Sequence, residues 1–565
     1  MGLSLGRLVI CLLLIWLVVL LMISGPLFHN NEPDEQVVAR LTRAVGELES
    51  LKQQNEELRS LLHSIRDPSL AELQKQELQK EPQKEPQKEA AKIEHTREGE
   101  PSKEYEVLRR KVENGIRELW FYARAQLKKV KKSLEDPKPV DRIIQDLAVH
   151  KRTILTDLEK LREADGYDAW RQKESRALRA LVEQRLSRLQ NPKHCPSARK
   201  VLCSLNKGCG YGCQVHHAAY CLIVAYGTQR TLILRSKGWR YATHGWETVY
   251  QPVSNTCVDA TGSSKSQWSA GPDDDVQVVE LPIIDNLRNR PPYLPLAIPQ
   301  DLGDRLTRLH GNPPLWWVSQ MMHFLMRPQK DTQARLDAAA RDMDFRHPVV
   351  GVHVRRTDKI GTEAGFHSLE EYMEYVDDYF DTLELQRAVP KRRVYLATDD
   401  SSLLGQARNS YPHYHFYGDV QVAQSASLGK RYSSESLKGI VLDIHMLSKT
   451  DYLVCTFSSQ VCRVAYELMQ LDYVDASDRF RSLDDIYYFG GQRDHNQIAV
   501  ANHTAQDGTQ IDFHVGDILG IAGNHWDGYS KGINRRTGAQ GLYPAFKAVD
   551  RLDLVPLPTY GNEDT

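Results

Sequence analysis

Net charge is almost absent from this sequence of 565 residues: 73 lysines and arginines stand against 74 aspartates and glutamates. A chain that coats nucleic acid carries a basic surplus, so no nucleic-acid partner is expected. The dinucleotide fingerprint is missing too, because the glycines of Lys207-Gly-Cys-Gly-Tyr-Gly-Cys213 follow a different spacing. Common zinc spacings are missing among Cys203, Cys209, Cys213 and Cys221 with His216 and His217. No Asp-x-Asp pair directly follows a convincing apolar strand: Asp273 to Asp275 reads as a turn and Asp342 to Asp344 as a helix end. No metal site is therefore expected. Long apolar runs are nearly absent as well, and one near the N-terminus stands out. Leu8 to Ile23, extended by Ser24, Gly25, Pro26, Leu27 and Phe28, can just cross a bilayer.

Arg7 precedes that run, Glu32, Asp34 and Glu35 follow it, and no clean small-x-small cleavage site does. The asymmetry predicts an uncleaved anchor at 8–28, a cytosolic tail at 1–7 and a lumenal remainder. A span this short suits the thin membranes of the early secretory pathway. Cys11 lies in the span, which leaves eight cysteines: Cys195, Cys203, Cys209, Cys213, Cys221, Cys257, Cys455 and Cys462. An even number in an oxidising lumen favours disulfides over zinc, although about 105 pairings stay open. Asn502-His503-Thr504 is a glycosylation sequon, usable where exposed.

A stem occupies 29–103. Leu41, Leu48, Asn55 and Leu62 mark one heptad position and Ala44, Leu51, Leu58 and Ile65 the other, a pattern for a parallel coiled-coil dimer with one Asn setting register. Asp67-Pro68 stops it, and Gln-Lys-Glu-Pro repeats from Gln79 to Glu89 make a polar spacer. Across 104–192, stripes at Leu108, Val112, Ile116, Leu119, Ala123, Leu127 and Val130, at Ile143, Leu147, Ile154, Leu158 and Leu161, and at Leu178, Leu181, Leu186 and Leu189 predict helices. Their apolar faces read as helical core, with a dimer surface as the alternative.

The chain is organised around His347 to Glu363. Its Val-rich first half suits a central parallel strand, and it ends in His353, Arg355, Arg356, Asp358, Lys359 and Glu363. Ligands of open α/β sheets sit where such strands end. Two rigid guanidinium forks suit a diphosphate, and a carboxylate a few residues on can act as a general base. The alternative is a buried strand followed by a solvated charge run. Arg393 to Asp400 and Tyr452 to Cys455 read as further strands, each leading into a helix. Asp399 is either a ligand-facing carboxylate or a helix cap. Thr231 to Leu234 and Val276 to Leu281 are strand candidates earlier in the chain, with Trp239-Arg240-Tyr241 as an aromatic shelf between them. The expected fold class is α/β, with a cysteine-rich open region at 193–346 and a Rossmann-like nucleotide-binding region at 347–490.

Gly-Cys-Gly-Tyr-Gly-Cys-Gln at 208–214, Val-His-Val-Arg-Arg-Thr-Asp-Lys at 352–359, Leu-Ala-Thr-Asp-Asp at 396–400 and Cys-Thr-Phe-Ser-Ser-Gln-Val-Cys-Arg at 455–463 carry a resemblance. Together they resemble the eukaryotic α1,6-fucosyltransferases of N-glycan cores, along the chain from the anchor to the last domain. The resemblance implies an inverting Golgi glycosyltransferase, independent of metal and cofactor, that uses GDP-fucose on N-glycan acceptor glycoproteins. A membrane-anchored homodimer is the expected form. By the same resemblance Arg355 holds the β-phosphate with Arg356 beside it, and Glu363 is the base, assisted by Lys359. His353, Tyr241, Asp443, Ser459, Gln460, Gly210 and Tyr211 surround nucleotide and fucose. Lys207, Asp285, Asp484, Asp485, His525 and Lys531 match positions that touch the acceptor. The implied disulfides are Cys195 with Cys257, Cys203 with Cys221, Cys209 with Cys213, and Cys455 with Cys462. His244 departs from the family pattern, which has a second glycine there.

At 498–560, Val515-Gly-Asp-Ile-Leu519, Trp526, Gly528 and Gly541-Leu-Tyr-Pro544 fit an SH3-like β-barrel. Ile498 to Phe513 contains no tyrosine, so ordinary proline-peptide binding is not expected. A stabilising barrel and an acceptor-binding wall both remain open, and the resemblance favours the wall. Two other functions stand beside the leading one: the same donor chemistry on another acceptor, such as a protein hydroxyl or a chitin-like oligosaccharide, and a glycan-binding scaffold with an inert α/β domain. The scaffold would need neither Arg355 nor Glu363.

Overall fold

Short runs of aliphatic residues separated by helices build two parallel sheets. The computed structural model describes residues 99–268, 275–287, 290–356, 365–427 and 429–560. The chain divides into two units, 1–94 and 95–565, and the described residues all belong to the second. Lys200–Ser204 (β1), Thr231–Arg235 (β2), Lys265–Gln267 (β3) and Val278–Glu280 (β4) form the first sheet, in the order β2-β1-β4-β3. After the short strand Ala297–Pro299 (β5), the second sheet takes Val350–Val354 (β6), Arg393–Thr398 (β7), His415–Tyr417 (β8), Tyr452–Cys455 (β9) and Phe480–Ser482 (β10), ordered β10-β9-β6-β7-β8. Every pairing in both sheets is parallel. Because helices cover both faces of such a sheet, β6 is buried at every residue and is Val-rich rather than alternating. Gly351 sits in it because a Cβ would come within 2.7 Å of Thr450 Oγ1.

Helix Tyr211–Gly227 is buried along nearly its whole length, as expected of a helix apolar on all sides. It packs against β1, β2 and the helices Pro313–Leu325 and Gln460–Met469. At the C-terminal end, Asn496–Ala499 (β11), Ile518–Asn524 (β12), Tyr529–Asn534 (β13), Gln540–Pro544 (β14) and Ala548–Asp550 (β15) form an antiparallel sheet, ordered β14-β13-β12-β11-β15, around Ile511, Phe513, Leu519 and Tyr543. Asp553–Val555 (β16) then leaves it to pair with β5.

Helices Lys103–Lys131, Lys138–Ala164 and Asp168–Gln190 form where the stripes predict them. The helical-core reading is corrected for the first two: Leu108, Leu119 and Leu161 are 60%, 66% and 59% exposed. Their inward face is ionic instead. Glu106, 1% exposed, accepts from Arg171 Nε at 2.8 Å, Arg110 donates to the Arg308 carbonyl at 3.2 Å, and Lys151 and Arg152 hold Asp378. Carboxylates and carbonyls on the α/β body draw the charged side of each helix inward and leave the apolar side out. Only the third helix sends its leucines, Leu178, Leu186 and Leu189, into the core.

Placement as a single-pass Golgi membrane protein is withdrawn. Among the described residues no helix is long and apolar enough to cross a membrane. The run at 8–28 behind that expectation lies outside the described residues, as do the heptads and the spacer of the stem.

Removing one member of a buried ion pair strands its partner. Glu106→Ala is therefore expected to lower stability by about 3–5 kcal/mol, read from the denaturation midpoint. A midpoint equal to that of the unchanged protein would show that the network does not hold the helices on.

Candidate active site

Strand β6 ends in three basic residues whose surroundings differ. His353 is buried; burial and Arg355 pull its imidazole down to about 4, so it is neutral near pH 7. Among the described residues its Nδ1 meets no hydrogen-bond partner. Arg355 Nε lies 3.2 Å from Asp399 Oδ2, while the other oxygen of Asp399 accepts the Arg356 backbone N–H at 2.8 Å. The Arg356 guanidinium reaches Asp400 at 3.2 Å and lies over the Phe366 ring. Asp399 is thus no helix cap. Asp400 supports the start of helix Leu403–Ser410, accepting the Ser402 N–H at 3.0 Å. Asp358, Lys359 and Glu363 lie outside the described residues.

The glycine-rich turn opens helix Tyr211–Gly227, and Ser459 caps the start of helix Gln460–Met469 without a side-chain hydrogen bond. The two helix starts meet closely, for a Cβ on Gly212 would lie 2.9 Å from the Gln460 backbone. Unsatisfied N–H groups and the helix dipole make such ends favourable for anions. All four implied disulfides are formed, and two of them staple these turns: Cys209 with Cys213, and Cys455 with Cys462. The zinc alternative is thereby excluded for those cysteines. Gln460 Oε1 lies 2.8 Å from His216 Nδ1, and His216 Nε2 lies 2.9 Å from Glu467 Oε2, so the start of the helix is held from behind.

The aromatic shelf stands beside this group. Tyr241 lies 5.7 Å from Tyr211 and 5.2 Å from Tyr432 between ring centroids, and Tyr211 hydrogen-bonds Tyr250. Burial pushes the Tyr241 hydroxyl up to about 12, with Arg355 close enough to oppose the shift. His244 is exposed next to Gly245, whose φ of 91° and contact with Ser236 are what require a glycine. Asp443, on helix Ser434–Ser448, accepts the Tyr395 hydroxyl at 2.8 Å, and burial pushes its carboxyl up to about 7.

The acceptor candidates divide into two groups. Lys207 pairs with Asp285 at 2.7 Å beside the glycine turn. Asp484 accepts from Phe457 N–H at 2.8 Å and Ser482 Oγ at 3.0 Å, which binds it to the loop after β9. Its carbonyl accepts the Trp526 indole N–H at 3.1 Å. Burial raises the Asp485 carboxyl, which faces Gly523 of β12. His525, between β12 and β13, and Lys531, in β13, are exposed on the same hairpin. Tyr372 links the groups: its hydroxyl is raised by burial and then by Asp484, while Thr456 and Arg356 oppose the shift. Sequence reading left Asp399 between a ligand-facing carboxylate and a helix cap and placed His216 only in the zinc alternative, and it missed Tyr250, Tyr372 and Tyr432. Of these only Asp399, directly behind a strand, carried a local signal.

The family model described as "Alpha-(1,6)-fucosyltransferase N- and catalytic domains" matches residues 1–488. An alpha-(1,6)-fucosyltransferase of Drosophila melanogaster is 52% identical over 470 residues, covering 82% of this chain and 76% of that one. One of Caenorhabditis elegans is 38% identical over 550 residues, covering 95% and 96%. Among solved structures, fucosyltransferase NodZ from Bradyrhizobium is 13% identical, covers 47% of this chain and 92% of that one, and has a TM-score of 0.30, too low to carry an argument.

Gly212→Ala is expected to push the two helix starts apart and cost about 1–3 kcal/mol in urea unfolding. An unchanged midpoint would mean that the close approach is not needed.

Proposed function

The chain belongs to the alpha-(1,6)-fucosyltransferase family, and from that premise we propose that it transfers fucose from GDP-β-L-fucose to the 6-hydroxyl of the innermost Asn-linked GlcNAc of N-glycans. Transfer proceeds with inversion and without a metal. The observation that carries this reading is the end of β6, where Asp399 holds the Arg355 side chain and the Arg356 backbone while Asp400 takes the Arg356 guanidinium. Fixed guanidiniums supply the positive charge that a leaving diphosphate needs.

The bond from the fucose anomeric carbon to the β-phosphate breaks, and its electron pair stays on the phosphate oxygen, opposite Arg355. The acceptor O6 forms the new bond from the other face. Its proton passes to the Glu363 carboxylate, assisted by Lys359. Ser459, Gln460, Gly210 and Tyr211 face the phosphates, while Tyr241 and His353 enclose the donor. Asp443 takes the guanine edge, since an ionised carboxylate accepts from two N–H donors. The antiparallel sheet is an SH3-like module that presents His525 and Lys531 to the acceptor together with Asp484 and Asp485; Lys207 and Asp285 take its other side. A second copy of this chain covers the exposed stripe of Leu108, Val112, Leu119 and Val130.

The protein incubated with GDP-fucose, a chelator and a glycopeptide whose antenna ends in GlcNAc is expected to yield one fucose at the 6-position of the innermost GlcNAc by mass and linkage analysis. Fucose elsewhere, or no product until a divalent ion is restored, would contradict the reading. Glu363→Gln should lower kcat by about 10²–10⁴-fold, and Arg355→Ala by about 10²–10³-fold. The folded Asp443 carboxyl has a raised pKa of about 7, and guanine binds its ionised form. GDP affinity should therefore rise as pH increases through that value and fall by up to about tenfold per unit below it. Calorimetry at about pH 6 and about pH 8 reads this, and Asp443→Asn should flatten the profile.

A further inference from the structure

We propose that Arg481 is a positioning residue for the acceptor: through Trp526 it holds the β12–β13 hairpin, with His525 and Lys531, against Asp484 and Asp485. The proposal rests on the reading of those four residues as an acceptor wall. Arg481 lies in β10, three residues before Asp484, and is buried. Its guanidinium carbon is 4.4 Å from the ring centroid of Phe121, 4.6 Å from that of Tyr375 and 4.5 Å from that of Trp526. One cation thus joins four elements: helix Lys103–Lys131, helix Leu369–Glu384, the hairpin and the second parallel sheet. Arg481 Nη2 also reaches the Tyr375 hydroxyl at 3.3 Å.

Trp526 needs such a hold. Its φ is 54°, a backbone region that a bulky side chain adopts only when its surroundings impose it. The rings around Arg481 and the bond from the indole N–H to the Asp484 carbonyl impose it. Helix Lys103–Lys131 adds two contacts to the same hairpin: Tyr122 lies 6.3 Å from Tyr529 between ring centroids, and Gly528 packs on Tyr122. Relaxation of Trp526 would move His525, the adjacent residue, away from the two aspartates. Among the described residues no side chain assigned to the donor belongs to this cluster, so the effect should fall on the acceptor.

Acceptor KM, donor KM, GDP affinity and melting temperature are measured for the intact chain, for Arg481→Met, which keeps the bulk without the charge, for Arg481→Lys and for Trp526→Phe. Arg481→Met should raise the acceptor KM by about tenfold or more, with GDP affinity unchanged to within about twofold. Arg481→Lys should recover part of the loss. Trp526→Phe, which keeps a ring but not the N–H, should raise the acceptor KM in the same direction, and it decides the matter if Arg481→Met does not fold. His525→Ala and Lys531→Ala test the wall directly. If neither moves the acceptor KM, the wall and the proposal fall together. If they do move it while folded Arg481→Met and Trp526→Phe do not, the proposal alone is wrong. A parallel loss of GDP affinity would likewise overturn it.

Discussion

One carboxylate, Asp399, ties the end of β6 to the end of β7 at the candidate site. It is nearly buried at the end of β7, where one oxygen meets Arg355 Nε and the other takes the Arg356 backbone N–H. Two adjacent arginines would otherwise repel each other and sample many rotamers. Asp399 anchors Arg355 through Nε, and the chain after β6 is held where the strand ends. Donors already in place cost little reorganisation when charge develops on a leaving group. This arrangement needs β6 and β7 side by side and parallel, which the five-stranded sheet provides.

The rest of the body holds groups up to that point. Two helix starts, one from each half of the α/β region, are stapled by Cys209–Cys213 and Cys455–Cys462 and pressed together at Gly212. His216 and Glu467 support Gln460 from inside the core. The C-terminal sheet does not stand apart, because Trp526 joins it to Asp484 and β16 pairs with β5. The groups proposed for donor and acceptor are therefore parts of one connected framework, and Tyr372 is close to Asp484 on one side and Arg356 on the other.

Much of the fold was legible in the sequence. The Val-rich run before His353, the run before Asp399 and the run before Thr456 are β6, β7 and β9, because a strand buried on both faces must be apolar throughout. The helices from Lys103 to Ala164 were legible as helices, but not which face is buried. Periodicity shows an apolar stripe without saying whether a core or another surface covers it, and here the charged Glu106, Arg110 and Lys151 are buried while Leu108, Leu119 and Leu161 are exposed. Asp399 stayed open between a ligand-facing carboxylate and a cap because its partners lie 43 and 44 residues away in sequence, across a strand pairing. Cysteine spacing alone left the pairings open, and the family resemblance supplied the ones the structure forms. Arg481 gave no signal at all, since its three rings come from distant parts of the chain.

The most direct measurement is an experimentally determined structure with GDP bound. The β-phosphate should lie within hydrogen-bond distance of the Arg355 terminal nitrogens, with Asp399 still on Nε and both helix starts facing the phosphates. A diphosphate bound away from the end of β6, with Arg355 paired only to protein, would contradict the central role given to that cation.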